Sequence, residues 1–161
     1  MKTRARLARA LVCLSLVVIP LGCGDDTAPH GATVVAPADF TLTVVNSGAG
    51  YTSITDAPLA FQARDKNGNP LPGVLMRFYG GGNLSQTVAL TDRSGVPLNP
   101  VDPVFFETVT DERGLSPKDV YAAFDVPACN STEDVSVTAN VTASVGTASD
   151  EWVLSITASQ C

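Results

Sequence analysis

Histidine is almost missing from this chain. The only one among 161 residues, His30, lies in a Gly-, Ala-, Pro- and Asp-rich stretch ahead of the periodic part of the sequence. That placement removes Ser-His-Asp and Cys-His arrangements from the periodic part, and histidine metal sites with them. Charge is scarce as well, at 16% of residues. Of ten basic residues, Lys2, Arg4, Arg6 and Arg9 stand at the N-terminus, which leaves six against sixteen acidic residues from position 23 onward, a net of −10. Such a surface repels phosphate backbones, and no basic patch with interleaved aromatics occurs, so nucleic acid is not an expected partner. Runs of the helix formers Glu, Lys, Leu and Gln are missing while Thr, Ser, Val and Ala abound, which leans the composition towards β structure. The length and the 45% apolar content suit one globular domain with appendages.

Long hydrophobic runs are also lacking. "ALVCLSLVVIPL" at 10–21 is twelve residues, well short of the roughly 20 that a spanning helix needs. Preceded by the basic residues 1–9, it reads as a secretory signal peptide. Leu21-Gly22-Cys23 at its end resembles the bacterial lipoprotein box, with Pro20 where that motif has Leu. The resemblance implies that Cys23 becomes a lipid-modified first residue, and Gly24 after it implies outer-membrane sorting. Ordinary cleavage after Gly24 is the alternative, since Gly22 and Gly24 satisfy a small-x-small rule. The expected organisation is a lipoprotein signal peptide over 1–22, a lipidated Cys23 and flexible tether over 23–38, and a β domain over 39–161. Several acyl chains at ~0.8 kcal/mol per buried CH₂ would anchor such a chain stably.

From Phe40 onward the pattern alternates. "LAFQAR" (59–64), "VLMRFY" (74–79), "VSVTANV" (135–141) and "WVLSITA" (152–158) each place apolar residues at every second position. With "FTLTVV" (40–45), "TVAL" (87–90), "VFFETV" (104–109) and "VYAAFDV" (120–126), this predicts about eight short strands bounded by Gly, Pro, Asn or Asp. The spacing predicts an all-β fold, an antiparallel sandwich. "DKNGNPLPGV" (65–74) joins two of its strands through residues that accept left-handed φ or preset φ near −65°. "TDRSG" and "TDERG" add two further turns of the form Thr-Asp-x-x-Gly.

These residues resemble the bacterial immunoglobulin-like domain of the invasin/intimin type (group 1). A strand ending in Asp65, then "NGNPLPGV", a second strand, the Gly-rich "GGGNLS" and a TDxxG turn carry the resemblance, and "VSVTANVTA" and "WVLSITAS" are similar to that family's last strand pair. It covers roughly residues 40–158 and implies an immunoglobulin-like β-sandwich serving as a structural module. The second TDxxG turn and the Pro-rich "VPLNPVDP" between the two depart from the family pattern.

Of four cysteines, Cys13 leaves with the signal peptide and Cys23 is acylated or removed. Cys129 and Cys161 remain in a chain addressed to an oxidising compartment, so a Cys129–Cys161 disulfide is expected. They lack the CxxC spacing of a redox pair. The acidic neighbours Asp111-Glu112, Glu133-Asp134 and Asp150-Glu151 point to opposite faces if they lie on strands, and form no dyad alone. Asp65-x-Asn67-x-Asn69 begins like a calcium loop, yet Pro70 stands where the sharp-turn Gly belongs and Met76 where the bidentate Glu belongs. "GGGN" at 80–83 precedes no helical pattern and cradles no phosphate. Trp152 phases with the core.

Nothing here carries chemistry, so no cofactor and no catalysis are expected. The sequence suggests an envelope-anchored, non-catalytic module of the bacterial cell envelope, at the outer membrane, serving in adhesion, spacing or assembly with another envelope protein. A periplasmic or surface lipoprotein that binds a ligand or carbohydrate is the alternative. The expected partner contact is the segment "VPLNPVDPVFF" (96–106), with Pro100, Asp102, Pro103, Phe105 and Phe106 at its centre. Its prolines keep it out of a central strand. Phe105 and Phe106 face opposite ways if the strand is regular, offering one as an anchor; both tucked beneath the loop is the blander reading, and the preferred one.

Overall fold

The computed structural model describes residues 28–45, 49–81, 87–126, 128 and 135–159. Ten strands and no helix occur among them: β1 (Thr33–Val35), β2 (Phe40–Val45), β3 (Tyr51–Ile54), β4 (Gln62–Arg64), β5 (Leu75–Gly80), β6 (Ala89–Thr91), β7 (Phe105–Val109), β8 (Tyr121–Val126), β9 (Val135–Val145) and β10 (Ala148–Ser159). One sheet runs β2-β10-β9-β5-β7, a second β3-β8-β6, and β1 pairs with β4. All pairings are antiparallel except β2 with β10, which is parallel, so the sandwich is mixed rather than purely antiparallel. Among the described residues, β1 lies in the two-stranded sheet with β4 and β2 lies at the edge of the five-stranded sheet.

Period two explains the layers. Met76, Phe78 and Gly80 of β5, Trp152, Leu154 and Ile156 of β10, and Leu90, Ala122, Phe124 and Val126 from the facing sheet are buried in one shared core. Phe78 sits at its centre, edge-on to Phe61 at 5.8 Å and stacked on Phe106 at 5.9 Å. Each fully buried side chain of this size stabilises the fold by roughly 1.5–3 kcal/mol relative to exposure.

Two strands escape the sequence pattern. β1 lies in the stretch expected to be flexible tether, yet Val34 is buried in the core and Thr33–Val35 pair with Arg64–Gln62. From Ala28 onward this stretch is packed against the domain, because burying Val34 and Ala28 offsets the entropy of ordering so few residues. Hydrogen bonds then fasten residues 36–39 to β10: Ala36 N donates to Asp150 Oδ2 at 2.8 Å, the Trp152 indole N–H to the Ala38 carbonyl at 3.0 Å, and Val153 N to Asp39 Oδ1 at 2.9 Å. β3 is the other addition, only four residues long and half exposed.

The strands set the poles. β9 and β10 meet at the tight turn Gly146–Thr147, against which Ala28 lies. Leu75 and Val109 are near that end, whereas Gly80, Phe105, the close of β8, the start of β9 and the close of β10 are at the other. Cys23, Cys129 and Cys161, with the proposed signal peptide, lie outside the described residues.

Candidate functional site

Three turns of one construction hold the strands. In Asp65–Asn69, Asp92–Val96 and Asp111–Leu115, the Asp Oδ1 accepts from the backbone N–H groups two and four residues on, at 2.8–3.0 Å. The Asp N–H donates to the carbonyl four residues on, and the Asp carbonyl accepts from the Gly N–H. Gly68, Gly95 and Gly114 close the turns at φ of +84°, +82° and +72°, a region that suits residues without a Cβ. Both oxygens of Asp65 are engaged within its turn, Oδ2 by the Asn69 amide. Those donors to the charged form, the Asn69 N–H first, hold the Asp65 carboxyl below the usual carboxylate range, and the Leu115 N–H does the same for Asp111.

The second of these turns leads into the segment singled out by its prolines. Leu98 N donates to the Leu90 carbonyl, Leu90 N to the Pro103 carbonyl at 2.7 Å, and Gly80 N to the Val104 carbonyl at 2.7 Å. Asn99 Oδ1 accepts from the N–H groups of Val101 and Asp102. The loop is therefore pinned at both feet and shaped at its tip. Pro100, Asp102 and Pro103 are exposed, and Val101 between them is 94% exposed. Such a loop presents its side chains at little further entropic cost on binding.

Phe105 and Phe106 part company where the loop enters β7. Phe106 is buried on Phe78, while Phe105 lies half-buried on the outer face against Tyr79, their ring centroids 4.9 Å apart and tilted by 48°. Both are not tucked away, because regular β geometry sends neighbours to opposite faces. Tyr79 was the residue missed: its phase in "VLMRFY" already placed it outward, and only the register Tyr79↔Phe105 gives it a companion. Arg77 and Glu107 follow along the same outer face, Nε to Oε2 at 3.4 Å, and then Leu75 and Val109. Loop tip, aromatic pair and β7 form one continuous corner.

Of the acidic neighbours among the described residues, Asp111, Asp150 and Glu151 are each engaged with different partners. Asp111 caps its turn, Asp150 accepts from Ala36 N, and Glu151 accepts from the Asn140 amide across the β9–β10 pair; Glu133-Asp134 fall outside the described residues. Among the described residues no cluster of three or more His, Cys, Asp or Glu could hold a metal ion. Trp152 is buried.

A cleft of about 240 Å³ opens between β2 and β3 at the other side of the sandwich, lined by Phe40, Leu42, Ile54, Pro58, Phe124 and Trp152. It lies just under the ~300 Å³ from which ligand pockets usually start.

Neither the protein-family models nor the curated proteins match this chain.

Proposed function

We propose that this chain is a non-catalytic, envelope-anchored module with one immunoglobulin-like domain, which docks another envelope protein through the corner formed by residues 99–105 and Tyr79. The pinned loop carries this reading: Pro100 and Pro103 flank an almost fully exposed Val101 beside the outward Tyr79–Phe105 pair, and Tyr is among the side chains that most often anchor protein interfaces. The strand order supports the immunoglobulin-like assignment, with β2 pairing in parallel with β10 at one edge of the five-stranded sheet.

Geometry supports the anchor reading as well. Cys23, taken as the lipidated first residue, is separated from Ala28 by a leash of at most ~18 Å. Ala28 rests on the β9–β10 turn, and the loop tip projects from the opposite end of β5. A lipid on Cys23 would thus hold one pole at the headgroups and turn the loop away from the membrane. The 240 Å³ cleft favours the alternative, a binder of a small apolar ligand, but its polar rim of Ser53, Thr55 and Asp56 offers few fixed groups for a carbohydrate.

Two measurements decide. Intact-mass analysis of membrane-extracted protein should give an acylated N-terminus at Cys23; a soluble species starting at Asp25 would end the anchor claim. Replacing Pro100, Asp102 and Pro103 by a Gly-Ser linker should leave thermal unfolding unchanged and weaken co-purification with envelope proteins. Unchanged co-purification by a folded variant would place the docking surface elsewhere.

A further inference from the structure

We infer that the outer edge of β7 takes up an extended peptide segment of the pattern apolar-x-Arg/Lys-x-aromatic as an additional antiparallel strand, its basic residue opposite Glu107. The inference rests on the docking reading for the choice of corner, and names the chemistry of the partner there.

Backbone alternation makes the edge available. Gly80 N bonds the Val104 carbonyl and Thr110 N bonds the Val74 carbonyl. In an antiparallel pair the hydrogen-bonded partners recur at every second residue, so residues 104, 106, 108 and 110 spend their polar groups on β5. The N–H and C=O groups of Glu107 and Val109, with the C=O of Phe105, therefore point outward, away from β5. β7 ends its sheet, and no other strand meets these groups among the described residues. The Phe105 N–H is the exception, donating to Asp102 O at 3.1 Å, and it marks where an added strand would stop. Main-chain bonds at such an edge supply affinity in strand addition, and alternate side chains supply selectivity.

The side chains say which strand fits. Phe105, Glu107 and Val109 share the outer face, and on their inner side they already face Tyr79, Arg77 and Leu75 of β5. β5 is thus a template for what β7 accepts: an aromatic opposite Phe105, a cation opposite Glu107, an aliphatic opposite Val109. A strand of the same pattern on the free side would seat Glu107 between two cations and extend the Tyr79–Phe105 cluster by a third ring. A second copy of the chain fits worse. Two-fold antiparallel pairing of β7 edges centred on Glu107 sets the two carboxylates directly opposite, and like charges in that position are destabilising. The acidic chain as a whole also favours a basic segment.

The test uses the purified full chain and two probe peptides, Thr-Leu-Thr-Arg-Thr-Tyr-Thr and the same sequence with Glu for Arg. The Arg peptide should bind, with amide shift changes centred on Glu107 and Val109, and the Glu peptide should bind several-fold more weakly. Glu107→Lys should reverse that order. Val109→Pro removes an outward donor without touching the bonds to β5, and should abolish binding with the fold retained. Equal binding of both peptides, binding indifferent to both substitutions, or shift changes at the Phe40 cleft would overturn the inference. So would the absence of binding, even where the Gly-Ser loop variant loses its envelope partner; in that case the docking loop stands and the strand addition falls.

Discussion

Thr110 and Thr91 occupy the same place in two similar turns, one residue before the capping Asp, and both are buried. Their hydroxyls differ. Thr110 Oγ1 donates to the Leu71 carbonyl at 2.8 Å and accepts from Val74 N at 3.2 Å, whereas Thr91 Oγ1 has no partner among the described residues. Thr110→Val leaves both backbone groups without that partner and should cost about 1–3 kcal/mol, read as a lower urea midpoint. Thr91→Val replaces an unpaired buried hydroxyl with a methyl and should be neutral or stabilising in the same assay. Equal losses for the two would show that packing rather than hydrogen bonding sets their cost. Asp65 and Asp111 add a pH dependence. Their carboxyls titrate below the ordinary 3.8 when folded, so they stabilise the fold above that pH and lose the contribution as pH falls through the lowered value. Asp65→Asn with Asp111→Asn should therefore flatten the fall in stability below about pH 4, where unfolded-state protonation sets in. A slope identical to that of the native chain would refute the assignment.

At the scale of elements, β7 stands out as an edge that the fold leaves open and guards with one charge. Glu107 sits midway along five residues whose other outward side chains are Phe105 and Val109. Charged residues at such positions oppose edge-to-edge association. Glu107→Val should then convert the chain to a concentration-dependent dimer by analytical ultracentrifugation, and a monomer at every concentration would show that the edge is protected by something else. Gly114 illustrates the converse, a closed contact. A Cβ there would stand 2.3 Å from the Ala63 carbonyl, because Ala63 N bonds the Gly114 carbonyl and draws the turn onto β4. The second TDxxG turn is thus a clasp that holds the chain after β7 onto β4, and Gly114→Ala should lower the melting temperature more than the same change at Gly68, where nothing lies within 4 Å.

For the whole molecule, the two ends differ in kind. Ala28 packs at the β9–β10 turn, while β8 closes and β10 ends at the opposite pole. Cys129 follows Val126 by three residues and Cys161 follows Ser159 by two. That common pole supports the proposed disulfide, which would close a long loop and stabilise the fold by roughly 3–4 kcal/mol on the chain-entropy account. Non-reducing peptide mapping should recover one cross-linked pair, and reduction should lower the melting temperature by about 10–15 °C for a domain of this size. Two thiols freely alkylated in the native protein would refute it.

The sequence by itself determined the all-β class, eight of the ten strands, the inward residues and the turns, since these depend on period two and on Gly, Asp, Asn and Pro at fixed positions. Phe78, Leu154 and Ala139 could be assigned to the core from phase alone. What it left hidden is non-local or too short to be periodic. Three residues of β1 carry no recognisable alternation, and only pairing with β4 and burial of Val34 make them a strand. The parallel contact of β2 with β10 joins residues more than a hundred positions apart, which no local pattern encodes. The candidate site divides in the same way. Prolines announced the loop from the sequence, but the outward Phe105 gained Tyr79, and Glu107 gained an open edge, only when β5 and β7 were set in register. A cross-strand pair exists only once two distant segments lie side by side, so tertiary structure alone could decide it.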